Sequence, residues 1–247
     1  MTDISIPHSL GLPTSGHDRP RHSRLVVDGR AIIYQDVGEG PAVILAHGSG
    51  GAHESWAPLA AALSNRYRVL TPRLLGYGWR EPRSPDLRLH PWSDCAVLLG
   101  LAEHVGDSVH IVGHGYGATV ALEAARSLGK RTRSLTLIEP IAFHLFRLAS
   151  QTHEWREIPT YRRVDTPTRL VVGQRTPRPA RSIVDELLRI LPDAHLRIVP
   201  QPEQSTRLTH PAEVTSLVAA HLDDSECCRE PDCDRSAPTR EHRRSIA

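Results

Sequence analysis

Net charge is nearly absent from this sequence, because its 247 residues carry a formal charge of only +2 at pH 7. A clustered basic excess is the usual electrostatic footprint of a nucleic-acid-binding protein, and this chain has none. The chain also lacks an apolar run long enough to span a bilayer, and its first residues form no charged-then-apolar signal sequence. We therefore expect no nucleic acid and no membrane among its partners. Its oligomeric state is left open.

Cysteine is scarce as well. The sequence has four, Cys95, Cys227, Cys228 and Cys233, and three of them are crowded near the carboxyl end. Their spacing matches no standard zinc site, so we expect no bound metal, and we expect no other cofactor. Without a disulfide framework, a reduced cytoplasmic protein is the expectation.

The two ends of the chain differ in composition from its centre. Residues 1–22 mix Pro, Gly, Ser, His and Arg without a period, which predicts a flexible leader. Residues 223–247 combine both charge signs with Pro and Ser, which predicts a disordered tail. Between them, residues 23–222 are long enough to form one domain with a large core.

Within this domain, apolar runs rich in β-branched residues alternate with segments of helical periodicity. The run Ala42–Ala46 is apolar throughout, as expected of a parallel strand that is covered on both faces. The last two predicted helices run from 183 to 191 and from 211 to 222. This alternation predicts an α/β fold, a three-layer α/β/α sandwich around a mostly parallel sheet of eight strands.

The most informative stretch is a glycine-punctuated corner near the middle of the chain. A β-branched run that begins at Val109 enters the sequence Gly-His-Gly-Tyr-Gly at residues 113–117 and continues as an Ala/Leu-rich helix. Strand, sharp turn and helix in this order resemble the nucleophile elbow of the α/β-hydrolase family. The resemblance extends over residues 24–222. The alternative is a glycine-rich turn of another α/β protein, although a phosphate-binding loop would need a longer glycine pattern followed by Lys and Ser/Thr.

The resemblance implies a nucleophile at the centre of this elbow (residues 113–117), where the family has Ser, Cys or Asp and this chain has Gly115. Glycine adopts positive φ without steric cost, so we expect the turn to form without its reactive side chain. Gly113 and Gly117 lack side chains, so we expect the strand and the helix to pack closely around the corner.

A second glycine-rich segment, His-Gly-Ser-Gly-Gly at residues 47–51, directly follows the apolar run Ala42–Ala46. The resemblance implies that this glycine loop and the elbow supply the two backbone N–H groups of an oxyanion hole. Those donors belong to Ser49, after Gly48, and to Tyr116. The alternative is a simple glycine-rich connector. The resemblance gives His47 a turn-stabilising role.

The remaining catalytic positions that the resemblance implies are also substituted. The base position falls at Gln204, whose amide cannot cycle a proton near neutral pH. The usual acid position falls at Thr176, and the alternative acid position, at the end of the preceding strand, falls at Glu139. Residues 141–165 are left for the lid that covers the substrate in this family, so we expect a shortened lid.

These substitutions leave several functions open. The first hypothesis is a non-hydrolytic binding protein, or pseudo-hydrolase, that holds a small molecule with a carbonyl or anionic group at the two backbone donors. The second is an enzyme that performs isomerase-, cyclase- or lyase-type acid–base chemistry with His114, Glu139 or Tyr116. His114 and Tyr116 could equally be structural. Weak hydrolysis by an unconventional mechanism and a decayed copy without function complete the alternatives.

Overall fold

The computed structural model describes residues 20–49, 53–74, 91–141, 161–200 and 211–227. The strands are β1 (Arg21–Val27), β2 (Arg30–Val37), β3 (Ala42–Ala46), β4 (Arg68–Pro72), β5 (Val109–His114), β6 (Thr132–Ile138), β7 (Thr168–Gly173) and β8 (Ala194–Val199). The α-helices are α1 (Ala57–Leu63), α2 (Pro91–Val105), α3 (Tyr116–Leu128), α4 (Arg178–Ile190) and α5 (Pro211–Cys227). Short 3-10 helices occupy His53–Trp56 and Gly129–Arg131.

All eight strands form one sheet in the order β1-β2-β4-β3-β5-β6-β7-β8. Strand β2 is antiparallel to both of its neighbours, and the pairs from β4 to β8 are parallel. The parallel strands therefore end at one common edge of the sheet, where ligands usually bind in open α/β folds.

Helices cover both faces of the sheet. Apolar side chains of α2, α3 and α4 pack on one face, and those of α1 and α5 pack on the other. Central strand β3 is buried along its whole length because it has a helical layer on each side. These observations confirm the three-layer α/β/α sandwich with a mostly parallel eight-stranded sheet.

Two helices are longer than the sequence predicted. Helix α4 begins at Arg178 rather than at 183, and its first turn is polar, which hides it from a search for apolar periodicity. Helix α5 ends at Cys227, so its last turn lies inside the predicted disordered tail. At the other end of the domain, β1 begins at Arg21, inside the predicted leader.

The last turns of α5 are held by ion pairs and hydrogen bonds to the residues just before β4 and to strands β5 and β6. Asp223 accepts hydrogen bonds from Arg66 and from the Tyr67 hydroxyl, both at 2.6 Å. Glu226 accepts two hydrogen bonds of 2.8 Å from Arg133, and its Oε1 lies 3.1 Å from Nε2 of His110. These partners explain why the helix continues past the predicted boundary.

Part of the predicted lid is not a lid. Tyr161 and Val164 fall within residues 141–165, yet both are buried in the core beside α2 and α3. The Tyr161 hydroxyl donates a hydrogen bond to Glu123 of α3. Residues 142–160 lie outside the described residues, and the predicted short lid there remains a prediction.

Across the described parts of the chain, no helix is long and apolar enough to cross a membrane. Within the same ranges, His, Cys, Asp and Glu form no group of three or more that could hold a metal ion.

Candidate active site

Residues from four loops meet at the carboxyl edge of the parallel strands. Gly48 and Ser49 follow β3, and Gly115 follows β5. Glu139 follows β6, and Thr176 follows β7 by three residues. Because β3, β5, β6 and β7 are neighbours in the sheet, these positions form one continuous row above it.

Gly115 occupies the turn between β5 and α3 with φ 55° and ψ −117°. Its N–H donates to Ile138 O at 2.9 Å, and its carbonyl accepts from Ala118 N at 3.1 Å. These two bonds fix the corner between strand and helix. Few residues other than glycine adopt such angles, which are typical of strained turns at functional sites.

The glycines on either side of Gly115 permit a very close approach of backbone to backbone. A Cβ atom on Gly113 would lie 2.4 Å from Gly117 O. A Cβ atom on Gly117 would lie 2.3 Å from Ala46 O. At Gly115 itself, a Cβ atom would meet nothing nearer than Gly48 Cα, at 3.8 Å. The space for a central side chain is therefore present, although this chain has none there.

The glycine loop lies directly against the elbow. A Cβ atom on Gly48 would lie 2.8 Å from Nδ1 of His114 and 3.1 Å from its carbonyl oxygen. His47 holds this loop, because its Nε2 accepts a hydrogen bond from Leu74 N at 3.1 Å. Its Nδ1 is then the protonated nitrogen and donates to Gly48 O at 3.0 Å. This arrangement accords with the turn-stabilising role predicted for His47.

His114 and Glu139 form a largely buried pair beside Gly115. The imidazole Nε2 lies 3.6 Å from Glu139 Oε2, and the two side chains are 15% and 13% exposed. The other oxygen of Glu139 accepts a long hydrogen bond of 3.4 Å from the Thr176 hydroxyl. At 3.6 Å the imidazole and the carboxylate are within ion-pair range but beyond the length of a hydrogen bond.

Glu139 has an unusual backbone conformation. Its φ is 45°, a region that non-glycine residues rarely adopt, and its N–H donates to Val171 O at 2.8 Å. Glu139 and Gly115 thus place two positive-φ residues at the ends of adjacent strands. Such strain persists where the surrounding structure holds it, and it clusters at functional sites.

Tyr116 is the first residue of α3, and its hydroxyl donates to Asp94 Oδ2 at 2.8 Å. The Asp94 side chain is almost wholly buried, with 1% exposure. The sequence did not predict this partner, because an Asp in the first turn of a helix is normally expected to be exposed to solvent. Its bond to Asp94 favours the structural interpretation of Tyr116 over the acid–base one.

The structure therefore brings together seven of the residues that the sequence singled out: Gly48, Ser49, His114, Gly115, Tyr116, Glu139 and Thr176. Gln204, at the predicted base position, lies outside the described residues. The roles assigned to these positions remain predictions.

Comparisons with known proteins give the same fold. A sequence model of the alpha/beta hydrolase family matches residues 43–225. A pimeloyl-(acyl-carrier protein) methyl ester esterase of Methylococcus capsulatus is 40% identical over 107 residues, 43% of this chain and 40% of that protein. A 2-hydroxy-6-oxo-2,4-heptadienoate hydrolase of Pseudomonas putida is 32% identical over 108 residues, 42% of this chain and 38% of that protein. The chain thus spans about two fifths of the length of either relative.

Among solved structures, a membrane phospholipase A superimposes with a TM-score of 0.71. The superposition covers 84% of this chain and 87% of that one, at 17% identity. A likeness at this level of identity concerns the fold, because one fold hosts many chemistries.

Proposed function

This chain belongs to the alpha/beta hydrolase family, and from that premise we propose that it binds a small molecule with a carbonyl or carboxylate group without hydrolysing it through a covalent intermediate. The observation that carries the proposal is Gly115, which stands at the turn between β5 and α3 without a nucleophilic side chain. The proposed donors are the backbone N–H groups of Ser49 and Tyr116, together named the cradle below.

Two features support the cradle. The glycine loop abuts the elbow, because Gly48, the residue before Ser49, lies against His114 and against Gly115, the residue before Tyr116. Tyr116 is also the first residue of α3, where backbone N–H groups and the helix dipole favour an anion or a polarised oxygen. Neither feature depends on the side chain at 115.

Hydrolysis by the usual route needs a hydroxyl or thiol at 115 and a base that takes its proton. Gly115 cannot attack a carbonyl, and Gln204 at the proposed base position cannot accept a proton near neutral pH. Removing such groups lowers kcat by a factor on the order of 10⁶, and the residual rate is roughly 10³–10⁴ times that of the uncatalysed reaction in water. These two substitutions support a non-hydrolytic role for this chain.

Titration with hexanoate tests the proposal. In ¹⁵N–¹H spectra, we expect saturable shifts at the amides of Ser49 and Tyr116. Ser49→Pro removes one donor because proline lacks an N–H, whereas Ser49→Ala keeps that donor and is the matched control. Loss of binding in the proline variant alone supports the cradle. The absence of any saturable shift in the wild type, or labelling of the wild type by a fluorophosphonate, would overturn the proposal.

The His114–Glu139 pair favours a second candidate, acid–base chemistry at a bound carbonyl. The two side chains lie 3.6 Å apart and are mostly shielded from water, so an imidazole and a carboxylate, the usual groups of acid–base catalysis, stand together beside the elbow. Exchange of the α-hydrogens of a simple ketone for deuterium, followed by NMR, tests this candidate. Catalysed exchange that is lost in both His114→Gln and Glu139→Gln would establish it, and exchange at the rate of buffer alone would exclude it.

A further inference from the structure

A buried carboxylate lies behind the elbow. Asp94, in the first turn of α2, is 1% exposed and accepts a hydrogen bond of 2.8 Å from the Tyr116 hydroxyl. Hydrogen bonds to an ionised acceptor are shorter and stronger than neutral ones.

Packing alone gives no reason for a carboxylate at this place. The neighbouring Cys95, Val97 and Leu98 of α2 belong to the apolar core between α2 and α3. Burying a charged group costs several kcal/mol before its partners compensate, and an apolar residue of similar volume is often as stable or more stable. Stability alone does not require a carboxylate at position 94. A carboxylate there is explained if its bond to Tyr116 sets the local geometry of the elbow.

The Asp94–Tyr116 bond adds a side-chain restraint to an elbow that is otherwise held by the two backbone hydrogen bonds of Gly115. Gly115 caps α3 without a side-chain hydrogen bond, and glycine allows more backbone conformations than any other residue. The peptide between Gly115 and Tyr116 carries the cradle N–H of Tyr116. Gly115 has no side chain that could hold this peptide in place, whereas the side chain of Tyr116 can, through its bond to Asp94.

We infer that Asp94 is a positioning residue, whose carboxylate holds the Tyr116 hydroxyl and thereby orients the backbone N–H of Tyr116 toward a ligand in the cradle. The inference rests on the proposed function and extends it to a residue of α2. Asp94 acts through Tyr116 and does not itself touch the ligand. Loss of the bond should loosen the elbow and weaken ligand binding while the domain stays folded.

Tyr116→Phe removes the hydroxyl and keeps the ring, and the chain offers a matched control. Tyr161→Phe removes another buried hydrogen bond between a tyrosine and a carboxylate, the bond from Tyr161 to Glu123 of helix α3. In folded samples, Tyr116→Phe should bind hexanoate roughly tenfold more weakly, the low end for a hydrogen bond to a charged group. Tyr161→Phe should lower the thermal midpoint and leave the affinity unchanged. Equal affinities in Tyr116→Phe and the wild type would overturn the inference.

A conservative replacement separates positioning from packing. Asp94→Asn keeps an oxygen acceptor of the same shape and should lose less affinity for hexanoate than Tyr116→Phe. Asp94→Leu keeps the branched skeleton, removes the acceptor and should bind hexanoate at least as weakly as Tyr116→Phe. The double variant Asp94→Leu/Tyr116→Phe should be no weaker than Asp94→Leu alone, because the bond between the two residues is already absent from that single variant. Additive losses would show that the two residues act separately.

A readout without ligand keeps this inference distinct from the proposed function. In Tyr116→Phe, the ¹⁵N order parameters of the Gly115 and Tyr116 amides should fall from about 0.85, the value of rigid backbone, toward about 0.6. In Tyr161→Phe, the same order parameters should remain high. If the wild type binds no hexanoate, the proposed function fails while this comparison still decides whether the bond restrains the elbow. Unchanged order parameters would refute the positioning role.

Discussion

Restoring a serine to the elbow should destabilise the protein without giving it esterase activity. In Gly115→Ser, the new Cβ atom would meet only Gly48 Cα at 3.8 Å, which is ordinary van der Waals contact. The cost is therefore one of backbone conformation, since φ stays at 55° and ψ at −117°. No hydrolysis should follow, because Gln204 cannot accept the proton of the new hydroxyl.

The expected magnitude follows from two opposing effects. A non-glycine residue at such angles costs about 1–3 kcal/mol. Replacing glycine also restricts the unfolded chain, which returns about 0.4–1 kcal/mol. The net loss is the difference between these ranges and centres on about 1.3 kcal/mol. For a domain of this size each kcal/mol lowers the thermal midpoint by about 2–4 °C, so we expect the midpoint of Gly115→Ser to fall by about 3–5 °C.

The other end of the same helix provides a matched control. Gly129 follows α3 with φ 54° and ψ −125°, nearly the angles of Gly115, and a Cβ atom there would meet nothing within 4 Å. Gly129→Ser should therefore lose a similar amount of stability, although it lies far from the cradle. Thermal unfolding of both variants beside the wild type, with a short-chain p-nitrophenyl ester assay, makes the comparison.

The outcomes separate three possibilities. Equal losses at both glycines support a strained turn at Gly115. If Gly115→Ser is as stable as the wild type while Gly129→Ser is destabilised, the turn at Gly115 is unstrained and the elbow assignment fails. If Gly115→Ser hydrolyses esters by itself, the site contains a base at a position other than 204.

Three further experiments probe other parts of the structure. A chain that ends before Glu226 loses the hydrogen bonds from Arg133, so its free energy of unfolding should fall by about 1–3 kcal/mol. A chain that ends at Cys227 should be as stable as the full chain. Equal unfolding midpoints of the two shortened chains in denaturant would contradict this expectation. Burial, with neighbouring cations, lowers the pKa of His221 from 6.5 to about 3, so only the unfolded chain takes up its proton between those values. Stability should fall as the pH drops from 6.5 toward 3 and fall less in His221→Gln, whereas identical denaturant curves at pH 7 and pH 5 in both proteins would refute this. Adding Gln204→His to Gly115→Ser should permit labelling by a fluorophosphonate, and a double variant that stays unlabelled would place the base elsewhere.

The fold was predictable because its requirements lie in short stretches of sequence. The apolar run Ala42–Ala46 predicts a buried parallel strand, and all five of its residues are buried in the structure. The elbow was predictable for the same reason, since Gly113 and Gly117 meet backbone atoms that leave no room for a side chain. Local patterns of this kind determine local backbone geometry.

The features that sequence reasoning missed depend on partners far along the chain. Asp94 is 22 residues from Tyr116, and Glu226 is 93 residues from Arg133. Acidic residues in the last turn of a helix oppose its dipole, so the local sequence favours an earlier end to α5. Arginines on distant strands reverse that preference, and a single sequence does not reveal which strands will lie beneath the helix.

The site shows why a shared fold does not carry a shared reaction. A nucleophile at 115 must hold backbone angles that disfavour any side chain, whereas glycine adopts them without that strain. The elbow is therefore easier to fold with Gly115 than with the serine of a hydrolase. Under the proposed function, the backbone N–H groups of Ser49 and Tyr116 form the cradle whatever side chain stands at 115. A protein of this family could then give up covalent catalysis, gain stability and still bind a carbonyl group at these donors.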